Sequence, residues 1–238
     1  MANPRFYTGP QKLEPGLVAL SETESRHAAS SRRLAVGDEV VLFDGRGSEA
    51  RGRIDSIDRR AVRVEIAAVE SRDADAPIEL TLAVSFPKGP RQDVLVEKCT
   101  ELGVASIWPM RCERSIAEPS AHRLGKLRRT VIEACKQSQR AWLCELSEPV
   151  SFAEVVGSIG RFEAAVIADG SADRSNAGGP TSHKSVLALV GPEGGFTTEE
   201  LEAARDAGCG ALVLGQTILR TETAAIAAAV RLLCSGFN

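Results

Sequence analysis

The sequence predicts a two-part α/β protein: a small β-rich domain over residues 1–72, then a larger α/β domain with a mainly parallel sheet over 73–238. Three observations predict it. Up to about residue 70, short segments alternate polar and apolar residues, the pattern of half-buried strands. The stretch Ser71-Arg-Asp-Ala-Asp-Ala-Pro77 then has no apolar period and reads as a linker. From Ile78 onward, apolar runs alternate with helical periods and glycine stops, the signature of a parallel sheet covered on both faces.

The elements follow in order. Residues 5–7 and 17–20 are short strands, and Ser21-x-x-Glu24 is a capping box for a helix that runs to about Leu34 and ends at Gly37. Residues 39–43 form a strand closed by Asp44-Gly45-Arg46-Gly47, and alternating residues make 51–57 and 61–69 strands as well. Short strands around one helix suggest a small β-barrel. In the second part, strand 78–85 leads through Phe86-Pro-Lys-Gly-Pro90 into a helix over 93–102, with Val94, Leu95, Cys99 and Leu102 on one face. Strand 106–110, a helix over 120–141, a capping box Ser151-x-x-Glu154 and strand 164–168 come next. Residues 169–184, rich in Gly, Ser and Asn, read as a mobile loop.

Residues 186–224 hold the chemistry. The apolar run 186–190 ends in Gly191-Pro-Glu-Gly-Gly195, where absent Cβ atoms let backbone approach a ligand. Thr197 and Glu200 form a capping box for the next helix, which Gly208 stops. A second strand (211–214), Gly215 and a turn through Arg220 lead to a helix over 222–233 capped by Thr221. Two strand–glycine–helix units in succession put two glycine turns at strand carboxyl ends, where open α/β sheets bind ligands. Neither the Rossmann fingerprint nor a P-loop is present, so the residues alone leave the ligand open.

Composition bounds the classes. Apolar residues at 43% and charged residues at 26% are ordinary for a globular protein. No apolar run approaches the roughly 18 residues of a membrane span, and the first residues lack a signal peptide's apolar core, so a cytosolic protein is expected. The six cysteines contain no Cys-x-x-Cys, and His27, His122 and His183 are scattered; free buried thiols and no metal are the expectation. Net charge is −3, yet residues 111–140 carry eight Lys and Arg against three Asp and Glu. RNA contact needs a basic face rather than a basic protein.

Gly191-Pro-Glu-Gly-Gly195 followed by Leu214-Gly215 and Ile218-Leu-Arg-Thr-Glu-Thr-Ala224 resembles the RsmE family. So do Gly37-Asp-x-Val, Leu42-Phe-Asp-Gly-x-Gly47, Lys88, Glu97-Lys-x-Thr-Glu-Leu-Gly103, Glu133-Ala134 and Gln137-Ser-x-Arg140. The chain departs from the family at Ser31 and Arg32, normally apolar and apolar, and at Cys144, normally proline. The family uses S-adenosylmethionine to methylate N3 of a uridine in small-subunit (16S) ribosomal RNA. The resemblance therefore implies a PUA-like β-barrel domain for RNA, then a SPOUT methyltransferase domain with a trefoil knot, in a homodimer that shares its site across subunits. A cofactor pocket is implied at Val190, Gly191, Glu193, Gly194, Gly195, Leu214, Gly215, Ile218 and Leu219: glycine backbone to bond an adenine edge, apolar side chains to wall it.

Loss of the uracil N3 proton calls for a base or for a cation that stabilises the anion. Arg220 is the candidate cation, Glu222 the base or the group that orients Arg220, and Arg5 a grip on RNA or base. Arg5, Arg33, Arg114, Arg123, Arg128, Arg129 and Arg140 are the candidate RNA contacts. The final helix is apolar around most of its circumference, as a helix buried on more than one side would be. The alternatives are a non-catalytic RNA-binding protein and, less well matched, a phosphate-binding α/β enzyme.

Overall fold

The structure, a computed structural model, describes residues 3–9, 11–31, 34–58, 61–73, 76, 78–170 and 183–234. The chain divides into two compact units, one of residues 1–75 with 135–143, the other of 76–134 with 144–238.

The first unit is built on β1 (Arg5–Tyr7), β2 (Gly16–Ala19), α1 (Glu22–Arg26), β3 (Glu39–Phe43), β4 (Ser48–Ile57), β5 (Val62–Ile66) and β6 (Glu70–Ser71). Its six strands run β1-β3-β4-β5-β2, with β6 also on β4. Every ladder is antiparallel except that of β1 with β3. Alternate residues point inward, so Phe6, Val40, Leu42, Ala50, Ile54, Val62, Val64 and Ile66 form one core. The turn 44–47 takes positive φ at Gly45 and Gly47, as its glycines predict.

The first helix differs from expectation. It stops after Arg26 and widens into a π turn at His27–Ser31; Arg32 and Arg33 lie outside the described residues. Its capping box is half made. The Ser21 hydroxyl accepts from the Glu24 amide. The Glu24 carboxylate turns instead to Lys136, whose Nζ is 3.0 Å from each of its oxygens in a buried ion pair.

The second unit runs β7 (Glu79–Val84), α2 (Arg91–Glu101), β8 (Ser106–Arg111), α3 (Ala121–Ser138), β9 (Glu145–Leu146), β10 (Val150–Ser151), α4 (Phe152–Gly157), β11 (Ala164–Ala168), β12 (Ser185–Val190), α5 (Thr198–Asp206), β13 (Gly210–Leu212) and α6 (Thr221–Leu233). The last residues of α3, from Cys135, are counted with the first unit. Seven strands form one sheet in the order β10-β8-β7-β12-β11-β13, with β9 also on β8. All its ladders are parallel. The strands are continuous apolar runs because helices cover both faces. On one face Ala83, Leu187, Leu189, Ala165 and Ile167 meet Val155, Phe196 and Ala204. On the other, α6 lies against β7, β12 and α2.

Two capping boxes form as expected. Ser151 pairs with Glu154 at α4, and Thr197 with Glu200 at α5, where Gly208 ends the helix at φ +96°. The second oxygen of Glu200 also accepts from the Glu113 amide at 2.9 Å. Helix α2 starts two residues earlier than expected and buries Gln92, Leu95, Val96, Cys99 and Thr100; Val94 faces outward, 44% exposed.

Cys99, Cys112, Cys135, Cys144 and Cys209 are buried thiols outside any disulfide, while Cys234 is exposed. Burial pushes the Cys112 thiol up to about 12 and that of Cys209 to about 11. Among the described residues no cluster of His, Cys, Asp and Glu is arranged to hold a metal, and no helix is long and apolar enough to cross a membrane.

Candidate active site

Three adjacent parallel strands, β12, β11 and β13, release their chains at the same end of the sheet. The loops that follow them enclose one cavity of about 330 Å³. Residues 168–170 line it after β11 and 190–196 after β12; from the end of β13 the lining is Leu212, Leu214, Gly215, Thr217, Ile218, Leu219 and Thr221, with Ala224 of α6 completing the wall. The nine positions named from the sequence, Val190, Gly191, Glu193, Gly194, Gly195, Leu214, Gly215, Ile218 and Leu219, are all in its lining.

Each glycine is there for a different reason. A Cβ at Gly191 would come within 2.9 Å of the Phe196 ring, so this position must be bare for the ring to close over it. Gly195 ends a turn in which its amide donates to the Pro192 carbonyl at 2.8 Å, with φ +70°. Gly215 has no positive φ, and a Cβ there would meet no atom within 4 Å.

The first turn is braced from outside. Arg114 donates to the Gly194 carbonyl at 2.9 Å, and the Thr221 hydroxyl donates to the Gly191 carbonyl at 3.4 Å. The second turn is tied to α6 through Arg231, which donates to the Val213 carbonyl. At the third, buried Asp169 pairs with Arg205 of α5 at 2.8 Å. The backbone groups of Gly191, Gly194 and Gly195 named here are thus engaged within the fold, whereas Gly215 has no internal backbone partner among the described residues.

Arg220 holds the N-cap position of α6, one residue before the place expected for the cap. Thr221 is the first helical residue, and its hydroxyl is turned to the Gly191 carbonyl. The Arg220 side chain is exposed and makes no hydrogen bond or ion pair among the described residues, although both its neighbours line the cavity. Glu222 is buried and does not orient Arg220; its carboxylate faces Arg91, Oε2 lying 3.8 Å from Nη1. The same Nη1 is 3.2 Å from Oε1 of Glu193. Sequence reasoning missed both Arg91 and the contribution of 168–170. A cation just after the turn 86–90 was the only signal for Arg91.

The basic residues correct the expected RNA face. Arg5 is buried in the first unit, where it donates to Glu49 at 2.6 Å and to the Arg140 carbonyl at 3.1 Å and lies over the Phe43 ring. Burial would raise the Glu49 carboxyl, but hydrogen bonds from Arg72 and Arg5 outweigh it and hold it below the ordinary carboxylate range. A guanidinium so enclosed and paired is held inside the unit rather than presented on its surface. Arg140 is buried too. Arg123 is bound to Gln92 and Asp93, Arg128 to Glu148 and the Leu146 carbonyl, and Arg111 to Glu118. Arg129 stays exposed with one long contact to its own helix, and Arg33 lies outside the described residues. Carboxylates outside 111–140, Asp93, Glu148 and Glu24, therefore balance three of the five excess positive charges counted there.

Comparison with known proteins bears on this geometry. A family model described as an RNA methyltransferase domain matches residues 74–233, and one described as an RNA methyltransferase PUA domain matches residues 20–67. The ribosomal RNA small subunit methyltransferase E of Mycobacterium bovis is 33% identical over 227 residues, 90% of this chain and 86% of its own. That of Synechocystis is 28% identical over 225 residues, covering 92% and 74%. The crystal structure of the Neisseria gonorrhoeae ribosomal RNA small subunit methyltransferase E bound to S-adenosyl methionine superposes with TM-score 0.86 at 31% identity, over 97% of each chain.

Proposed function

The chain belongs to the RsmE family of RNA methyltransferases, and on that premise we propose that it transfers a methyl group from S-adenosylmethionine to N3 of a uridine in small-subunit ribosomal RNA. The observation that carries this reading is the cavity made by three loops at the carboxyl end of one parallel sheet, with Arg220, which has no ion-pair partner among the described residues, between lining residues Leu219 and Thr221. The residues fit the cofactor. Val190, Leu214 and Leu219 offer apolar walls for a planar base, and Gly215 offers an unengaged amide and carbonyl beside open space.

When bound, S-adenosylmethionine supplies an electrophilic methyl group on a sulfonium. The protein's part is to place the uracil nitrogen in line with it, an arrangement worth up to about 7–11 kcal/mol. The neutral imide is a poor nucleophile. Arg220, exposed beside the cavity and without an ion-pair partner among the described residues, stabilises the uridine as its anion when N3 gives up its proton to solvent. The PUA unit supplies further RNA contact, and a ribosomal substrate sets the place of action in the cytoplasm. Nucleoside analysis of ribosomal RNA tests the reaction: it predicts 3-methyluridine that depends on this protein.

The working species in this reading is a homodimer. Helix α6 buries Ala225, Ala228, Ala229 and Leu232 within its own unit, yet Ile226 and Ala227 remain half-buried and Val230 is 43% exposed. These three are spaced i, i+1, i+4, a second apolar stripe on a helix whose first is already covered. A stable pair would bury on the order of 1,200–2,000 Å². Sedimentation at micromolar concentration should give twice the chain mass, and Ile226→Glu with Val230→Glu should give monomer. A wild-type chain that sediments only as monomer contradicts the dimer.

A further inference from the structure

We propose that Arg91 is a positioning residue of the cofactor site, and that the charge it sets there governs discrimination between S-adenosylmethionine and the demethylated product, S-adenosylhomocysteine. The inference rests on the cofactor reading above.

Arg91 opens α2 and lines no part of the cavity, so it acts through other groups. Its Nη1 lies 3.2 Å from Oε1 of Glu193, in the turn after β12, and 3.8 Å from Oε2 of Glu222, in the first turn of α6. One guanidinium thus joins the turn after β12, which lines the cavity, to the first turn of α6, which follows the loop after β13. Glu222 needs it: its side chain is 10% exposed, and its Oε2 is buried without a hydrogen-bond donor. A buried carboxylate without donors is costly unless a countercharge stands near it, and among the described residues Arg91 is the only ion-pair partner Glu222 has.

The three side chains sum to a formal charge of −1. When the methyl group leaves, the cofactor's sulfonium becomes a neutral thioether, so reactant and product differ by one positive charge. A net −1 beside the cavity favours the reactant moderately. A neutral residue in place of Arg91 removes the positive charge next to Glu193, which lines the cavity, and the preference grows. At an effective dielectric near 20 and a separation of roughly 8–17 Å, one charge shifts the ratio of affinities about five- to thirtyfold. A brace with no electrostatic part would instead weaken both ligands alike.

Calorimetric titration of S-adenosylmethionine and S-adenosylhomocysteine separates the two. The quantity read is the product's Kd divided by the reactant's. Arg91→Met should raise this ratio about five- to thirtyfold. Arg91→Lys, which keeps the charge, should stay within about threefold of wild type. Glu193→Gln should lower it, and the double variant Arg91→Met/Glu193→Gln, again at −1, should return it to the wild-type range. Should Arg91→Met fail to fold, Glu193→Gln still decides, and an unchanged ratio in that variant overturns the inference. A wild-type protein that binds neither ligand overturns the cofactor reading itself. One that binds both, with an Arg91→Met ratio equal to its own, overturns only the role of Arg91.

Discussion

Gly215→Val is expected to weaken S-adenosylmethionine binding by at least about 100-fold, close to 3 kcal/mol, while the melting temperature stays near that of the wild type. The backbone at Gly215 is not in the left-handed region, and a Cβ there meets nothing within 4 Å, so valine brings neither strain nor clash in the empty protein. Its methyl groups would stand beside backbone that has no internal partner and that borders the cavity. Gly195→Val is the less clean probe. At φ +70° a β-branched residue is strained, so lost binding there would be mixed with lost stability. Calorimetry with a parallel thermal melt checks the expectation, and unchanged affinity in a folded Gly215→Val protein would remove the second turn from the site.

Arg220→Ala is expected to lower kcat about 10²- to 10³-fold, the cost typical of removing one group that stabilises a developing anion. Affinity for S-adenosylmethionine should stay within about threefold, because Arg220 itself does not line the cavity. Folding should be unaffected: the side chain makes no capping bond to α6 and is exposed. Arg220→Lys should fall between the two, since lysine keeps the charge but loses the planar fork. Single-turnover methyl transfer measures the effect, and a rate within threefold of wild type for Arg220→Ala would take the arginine out of the chemistry.

What could be read from the sequence follows from the range of the interactions. The glycine turns and the caps at Thr197 and Ser151 are local: their partners lie three residues away, and each announces itself by residue type. The alternation of apolar runs and helices likewise marks the parallel sheet. Strands β6, β9 and β10 are two residues each, too short to show any period. The order of strands is a long-range property, so nothing in residues 168–170 marks them as the third wall of the cavity. Arg91 meets Glu193 across 102 positions, and Arg5 meets Glu49 across 44. A guanidinium paired at such distance looks in the sequence like one that is free. The basic count over 111–140 misled for that reason. The knot that the family resemblance implies is a matter of chain threading, which no periodicity carries.

The claim that the protein methylates a uridine of small-subunit ribosomal RNA at N3 is tested most directly by mass spectrometry of nucleosides from that RNA, in cells with and without the gene. The account predicts 3-methyluridine present at one site in the first, absent in the second, and restored by the wild-type gene but not by Gly215→Val. Identical nucleoside profiles in the two strains, with RNA binding by the purified protein intact, would contradict it and leave a non-catalytic RNA-binding protein in its place.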